Sequence, residues 1–189
     1  LEKSDGPIIG IVTRFVGHKG IDLIRCVFDQ MVQSGIRFAV LGSGERIYEA
    51  FFREMAARYP GKVSVTIGFV SELSHRIYAG ADMFLMPSQS EPCGLAQMIA
   101  MRYGTVPIVR ETGGLRDSVR DNGGVNGNGF TFKTYNADDM LDAVNRAVRD
   151  YNTKSEWISL VKRAMECDYS WASSADLYIE TYNELVNAK

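Results

Sequence analysis

Two cations, Arg14 and Lys19, stand five residues apart in the stretch Thr13-Arg14-Phe15-Val16-Gly17-His18-Lys19-Gly20. Placed ahead of a helix whose first N–H groups are free, such a pair suits a pyrophosphate. The same spacing also fits two solvated loop charges, with Gly17 and Gly20 as turn residues. A second stretch, Pro87-Ser88-Gln89-Ser90-Glu91-Pro92-Cys93-Gly94-Leu95, puts a carboxylate ahead of the helical run 96–101. There Gly94 and Leu95 would aim backbone N–H groups at an anion while Glu91 accepts hydrogen bonds from sugar hydroxyls, so a charged sugar donor satisfies both. Read alone, Glu91 is an acid at the positive end of a helix dipole and Cys93 a small buried hydrophobe. A third stretch, Arg110-Glu111-Thr112-Gly113-Gly114-Leu115, has a glycine pair that either lets a ligand approach the backbone or makes an ordinary turn.

The elements that must position these residues alternate in period. Pro7 introduces the β-branched run Ile8-Ile9-Gly10-Ile11-Val12, closed by Thr13-Arg14, which predicts a buried strand. From Ile21 the apolar positions Ile24, Val27, Phe28, Met31 and Val32 recur every three or four residues up to Gly35, predicting a helix of about three turns. Next come a strand over 38–41, a Gly42-Ser43-Gly44 turn, and a helix carrying Tyr48, Phe51, Phe52, Met55 and Tyr59 that Pro60-Gly61 ends. Strands over 63–67, 83–86 and 106–109 follow, with a helix over 72–79 between the first two. After a Gly- and Asn-rich loop over 121–129, a short strand at 129–132 precedes helices at 137–151, 155–167 and 171–186. Strands alternating with helices predict parallel βαβ units, hence an α/β, Rossmann-like, doubly wound sheet with C-terminal helices. In such a sheet ligands sit at the carboxyl ends of the strands, where all three stretches fall. The first of them has neither the GxGxxG of dinucleotide binding nor the GxxxxGK[ST] of a P-loop, so redox and ATPase functions lose their main support.

With 189 residues, 46% hydrophobic and 23% charged, the chain has the profile of one soluble globular domain. A net charge of -2 gives no global field to attract nucleic acid or an anionic membrane, so neither is an expected partner. No apolar run approaches the roughly 20 residues of a membrane span. Cys26, Cys93 and Cys167 form no CxxC pair, which indicates neither disulfides nor a metal cluster and fits a reducing compartment. Leu1 in place of Met fits a piece of a longer protein.

Five ordered motifs span most of the chain: Thr13-Arg14 with Lys19-Gly20; His75-Arg76-Ile77-Tyr78-Ala79-Gly80-Ala81-Asp82; Glu91-Pro92-Cys93-Gly94-Leu95; Arg102-Tyr103-Gly104-Thr105-Val106-Pro107; and Thr112-Gly113-Gly114-Leu115. Together they resemble bacterial glycogen synthases and plant starch synthases. That family consists of retaining glycosyltransferases with two Rossmann-like halves, the GT-B architecture, and the chain resembles the C-terminal, donor-binding half. The resemblance implies one domain over 1–189, with a lead-in over 1–7, a core over 8–168 and a terminal helix over 169–189 that packs on the N-terminal half.

By the same resemblance Arg14, Lys19 and Glu91 are the catalytic residues. Arg14 and Lys19 hold the donor diphosphate and stabilise the leaving group, and Glu91 contacts the transferred glucose. Phe69 occupies the place of an aromatic that stacks on adenine, while Cys93, Gly94, Leu95, Thr112, Gly113 and Gly114 line the donor cleft. The implied partners are ADP-glucose or UDP-glucose, an α-1,4-glucan acceptor and the N-terminal GT-B domain. The resemblance implies no cofactor or metal, and a cytoplasmic location, or a plastid one for a plant parent. An alternative is a nucleotide-sugar-binding module with no catalysis of its own. The chain departs from the family pattern at Phe15, His18, Phe69 and Ala96, where Leu, Gln, Tyr and Thr are usual. A second glutamate found eight positions after the first in related enzymes is Ile99 here, which favours glycogen and starch synthases. His75, Cys26 and Cys167 and the aromatic stripe Trp171, Tyr178, Tyr182 are expected to be packing residues; if the stripe is exposed, it marks the interface with the other half.

Overall fold

Strands covered on both faces read as near-continuous apolar runs, and such runs form the centre of a six-stranded parallel sheet whose edge strand, 63–67, alternates apolar and polar residues. The computed structural model describes residues 1–124 and 126–187; Val125, inside the predicted loop over 121–129, and Ala188 and Lys189, at the end of the predicted segment 169–189, lie outside them. Among the described residues the strands are β1 (Ile8–Phe15), β2 (Arg37–Gly44), β3 (Val63–Ile67), β4 (Met83–Met86), β5 (Val106–Arg110) and β6 (Phe130–Phe132). They lie in the order β3-β2-β1-β4-β5-β6, and every neighbouring pair is parallel. The helices are α1 (Ile21–Gln33), α2 (Arg46–Arg58), α3 (Ser71–Gly80), α4 (Ala96–Arg102), α5 (Gly113–Ser118), α6 (Ala137–Asn152), α7 (Lys154–Met165) and α8 (Trp171–Asn187).

Side-chain alternation decides which helices cover which face. Ile9 and Ile11 of β1, Met83 and Leu85 of β4, and Val106 and Ile108 of β5 point to one side, into the main core with α1, α2 and α6. Phe84 of β4 and Val109 of β5 point to the other, against Tyr78 of α3, Ala100 and Met101 of α4 and Leu115 of α5. Sheet order and two-sided cover together give the predicted doubly wound, Rossmann-like fold.

Several local expectations need correction. The residues Thr13, Arg14 and Phe15 belong to β1, and the predicted Gly42-Ser43-Gly44 turn is the end of β2, in register with them. The glycines permit this: a Cβ at Gly42 would lie 2.0 Å from the Thr13 carbonyl oxygen and one at Gly44 2.3 Å from that of Phe15. Cys26 is exposed rather than packed, and His75 is also exposed, its ring set edge-on to Tyr78 and Tyr103. The stripe on α8 is not core, because Trp171 is 88% exposed and no residue of α8 is buried.

The Asn-rich stretch before β6 is closed by Asp121. Its carboxylate accepts from Thr131 N at 2.7 Å and Gly123 N at 3.0 Å and pairs with Arg146 at 2.9 Å. Burial opposes its charge, but those N–H groups and the guanidinium outweigh it and hold the carboxyl below its ordinary range. A depressed carboxyl adds stability that is complete above the unfolded value of about 4 and is lost as pH falls through the folded value. Asp121→Asn is therefore expected to lower stability at neutral pH and to flatten its decline below pH about 4, as followed by urea unfolding at several pH values. Parallel declines in the two proteins would remove Asp121 from the acid transition.

Candidate functional site

The chain runs outward in both directions from the β1–β4 pair, since α1 follows β1 on one face and α4 follows β4 on the other. That reversal opens a crevice beyond the carboxyl ends of β1 and β4, the place where open α/β sheets bind ligands. A single 3-10 turn, Gly17–Lys19, leads from β1 to α1, and Gly20 closes it with φ 76°. A Cβ at Gly20 would lie 2.2 Å from the Pro87 carbonyl oxygen, so the loops after β1 and β4 touch through their backbones. Gln89 N donates to the His18 carbonyl across the same junction at 2.9 Å.

This contact brings Lys19 to Glu91. The Lys19 ammonium donates to Glu91 Oε2 at 2.6 Å, with the side chains only 14% and 11% exposed. Ser88 Oγ donates to the same oxygen at 3.1 Å. Oε1 of Glu91 accepts from no group among the described residues. The pair thus leaves ammonium hydrogens for an anion and a carboxylate oxygen for hydroxyl donors, side by side.

Glycines bring the third loop against the second. Gly114 N donates to the Glu91 carbonyl at 3.1 Å, and a Cβ there would lie 1.9 Å from the Cys93 carbonyl oxygen. At Gly113, with φ 43°, a Cβ would lie 2.2 Å from the Glu91 carbonyl oxygen. The N–H groups of Cys93, Gly94 and Leu95 meet no acceptor among the described residues. Cys93 is exposed, which corrects its reading as a buried hydrophobe.

Two residues with no assigned role in the sequence brace this arrangement. Ser88 orients Glu91, and Arg110, at the end of β5, donates to the carbonyls of Ser88 at 2.8 Å, Gln89, and Lys133 at 3.3 Å. Its guanidinium lies 5.8 Å from the centre of the Tyr135 ring, and the Tyr135 hydroxyl donates to Asp22 at the start of α1 at 2.5 Å. Burial and then the Asp22 carboxylate push that hydroxyl up, keeping it a donor. A Ser three residues before Glu91 was a visible signal, whereas Arg110 had none beyond its position at a strand end.

Other expected site residues stand apart. Arg14 is exposed as the penultimate residue of β1, opposite Ser43, and carries no ion pair or side-chain hydrogen bond among the described residues. The two cations are therefore not equivalent: Lys19 is engaged with Glu91, and Arg14 is the free one. Phe69 follows β3 at the same end of the sheet and is 87% exposed, a bare ring with no aromatic partner among the described residues. Thr112 is half-buried at the N-terminal boundary of α5, where its side chain makes no capping hydrogen bond.

A family model described as glycosyl transferases group 1 matches residues 1–163. The chain belongs to this family. Among its relatives within glycosyl transferases group 1, the glycogen synthase of Geobacillus thermodenitrificans is 53% identical over 187 residues, which are 98% of this chain and 39% of the relative. The glycogen synthase of Bacillus anthracis is 54% identical over the same shares. The catalytic domain of starch synthase IV from Arabidopsis thaliana, solved bound to ADP and acarbose, superposes with TM-score 0.88 at 39% identity, over 98% of this chain and 39% of that one. Sucrose-phosphate synthase from Thermosynechococcus elongatus, at 22% identity and TM-score 0.70, covers 98% of this chain and 47% of that one and shares the fold. The chain thus spans about two fifths of the length of the glycogen synthases it matches. No described helix is long and apolar enough to cross a membrane.

Proposed function

We propose that this chain is the donor-binding half of a retaining glucosyltransferase that moves glucose from ADP-glucose to the nonreducing 4-hydroxyl of an α-1,4-glucan. The observation that carries this is the contact of Lys19 with Glu91 at the β1–β4 crevice, which sets an anion-binding ammonium beside a carboxylate with an open oxygen. The diphosphate lies against Lys19, Arg14 and the free N–H groups of residues 93–95; glucose lies against Glu91 Oε1; the base stacks on Phe69. Thr112, Gly113 and Gly114 form the facing wall of the cleft.

In the reaction the bond from glucose C1 to the diphosphate oxygen breaks, and negative charge grows on the leaving ADP. Arg14 and Lys19 stabilise that charge where it develops. The acceptor 4-hydroxyl bonds to C1 from the face the diphosphate leaves, and its proton passes to the departing diphosphate. A retaining glycosidase mechanism needs two carboxyl groups about 5 Å apart. The crevice has Glu91, whereas Glu111, at the end of β5, accepts from the Thr131 hydroxyl at 2.7 Å and is already engaged. This favours the front-face route.

The acceptor-binding half is supplied by the remainder of a longer, cytoplasmic parent. Its contact surface includes α8, where Trp171, Tyr178 and Tyr182 stand exposed at 88%, 62% and 61%. Glucose incorporation from labelled ADP-glucose into glycogen tests the proposal: the full-length parent is expected to elongate the polymer with α-linkages, and this chain alone to bind donor without elongating. Elongation with β-linkages, or a parent that takes no nucleotide sugar, would overturn it.

A further inference from the structure

Gln97 and Ser118 lie beneath the two glycine loops of the crevice, 21 residues apart in sequence and both buried. The Gln97 amide nitrogen donates to the Gly94 carbonyl at 2.9 Å and to Ser118 Oγ at 3.0 Å, and Ser118 Oγ donates onward to the Gly114 carbonyl at 2.6 Å. One continuous chain of hydrogen bonds thus runs from the loop after β4 to the first turn of α5, with the Gln97–Ser118 bond crossing between the two segments and the Ser118–Gly114 bond lying within α5. The Ser118 carbonyl is fixed in turn, accepting from Tyr169 at 2.5 Å and from Asn128 at 3.0 Å.

The chain constrains direction as well as distance. A peptide unit whose carbonyl is held inward presents its N–H on the opposite side, so pinning the Gly94 carbonyl aims the Leu95 N–H outward. Gly94 has φ 74°, and a Cβ there would lie 2.6 Å from Gln97 Oε1, so the loop closes directly over the amide. That Oε1 is itself buried with no hydrogen-bond partner, a cost that shape alone would avoid with leucine at this position. Only the donor half of this amide is used, and its hydrogen bonds go to the loop and helix that flank the crevice.

We infer that Gln97, acting through Ser118, is a positioning residue for the donor sugar diphosphate: it locks the Cys93–Gly94 loop and the Gly113–Gly114 turn that opens α5 in one mutual register. This rests on the donor site proposed above. Neither side chain touches the donor, so the effect appears in binding of the diphosphate and sugar and not in binding of the base.

The test compares the chain with Gln97→Leu, Ser118→Ala and Ser118→Thr by calorimetric titration with AMP, ADP and ADP-glucose, and by amide hydrogen exchange of the unliganded proteins. Gln97→Leu and Ser118→Ala are expected to weaken ADP and ADP-glucose about five- to tenfold, the loss of about one well-made hydrogen bond, and to leave AMP within about twofold. Ser118→Thr, which keeps the hydroxyl, restores the wild-type ratio of ADP to AMP affinity. Exchange at the Gly114 N–H accelerates in the first two variants while the core strands stay protected. Equal weakening of AMP and ADP, or global loss of protection in both Gln97→Leu and Ser118→Ala, means a structural role and overturns the inference. Wild-type affinities in both variants overturn it while leaving the donor site intact, and failure of the wild-type chain to bind ADP removes the donor site and this inference together.

Discussion

Lys19→Ala is expected to weaken ADP binding by about 1.5–3 kcal/mol, and also to lower the stability of the unliganded chain by about 1–3 kcal/mol. The first figure is the worth of a hydrogen bond to a charged group. The second arises because Glu91, 9% exposed, would keep only the Ser88 hydroxyl on Oε2. A fully buried pair would cost more when broken, but water still reaches the edge of this one. The two effects separate in the double variant Lys19→Met, Glu91→Gln, which replaces the ion pair by neutral groups of similar volume. Stability should return to near wild type while ADP affinity stays low. Urea unfolding and calorimetry on the two single variants and the double measure this; strictly additive stability losses would show that Lys19 and Glu91 do not act as a pair.

Gly20→Ala should destabilise the chain by about 2–5 kcal/mol, combining about 1–2 for a left-handed non-glycine residue with about 1–3 for a forced contact. The Pro87 carbonyl at 2.2 Å is backbone at the end of β4, so it cannot swing away as a side-chain tip would. Relief requires parting the loops after β1 and β4, which draws Lys19 from Glu91, and ADP affinity should fall with it. Gly35→Ala is the control, since Gly35 has φ 95° but a Cβ there meets nothing within 4 Å. It should cost about 1–2 kcal/mol and leave ADP binding unchanged. Equal stability losses at Gly20 and Gly35 would mean that the loop contact carries no strain.

The frame of this molecule was legible because the strands are apolar or alternating runs and the helices carry a three-to-four spacing, patterns local to about a dozen residues. From Ile8 to Val32 the period changes once, and the structure places β1 and α1 on either side of that change. The crevice was legible too, because ligand placement in parallel sheets follows from topology alone. Lost from view were contacts between elements remote in sequence. Gly42 and Gly44 read as a turn because glycine usually marks one, yet here they let β2 run flush against β1. Arg110 bonds to carbonyls 21 and 22 residues away, and side-chain-to-backbone bonds of that kind leave no period and no motif. The opposed states of Lys19 and Arg14, one paired and one free, follow from the path of a single 3-10 turn that spacing does not specify. Exposure of the α8 stripe belongs with the same class, because the stripe's periodicity is that of a packed helix, yet no element among the described residues buries it.

Calorimetric titration of this chain with ADP, alongside Arg14→Ala, tests the central claim that the crevice beyond β1 and β4 holds a nucleoside diphosphate. Arg14 is the cation free to meet the ligand without disturbing the fold, so its loss should leave unfolding unchanged and weaken ADP by about 1.5–3 kcal/mol. Saturable ADP binding that falls by this amount in Arg14→Ala is the predicted result. No heat at millimolar ADP, or binding that Arg14→Ala leaves untouched, would contradict it.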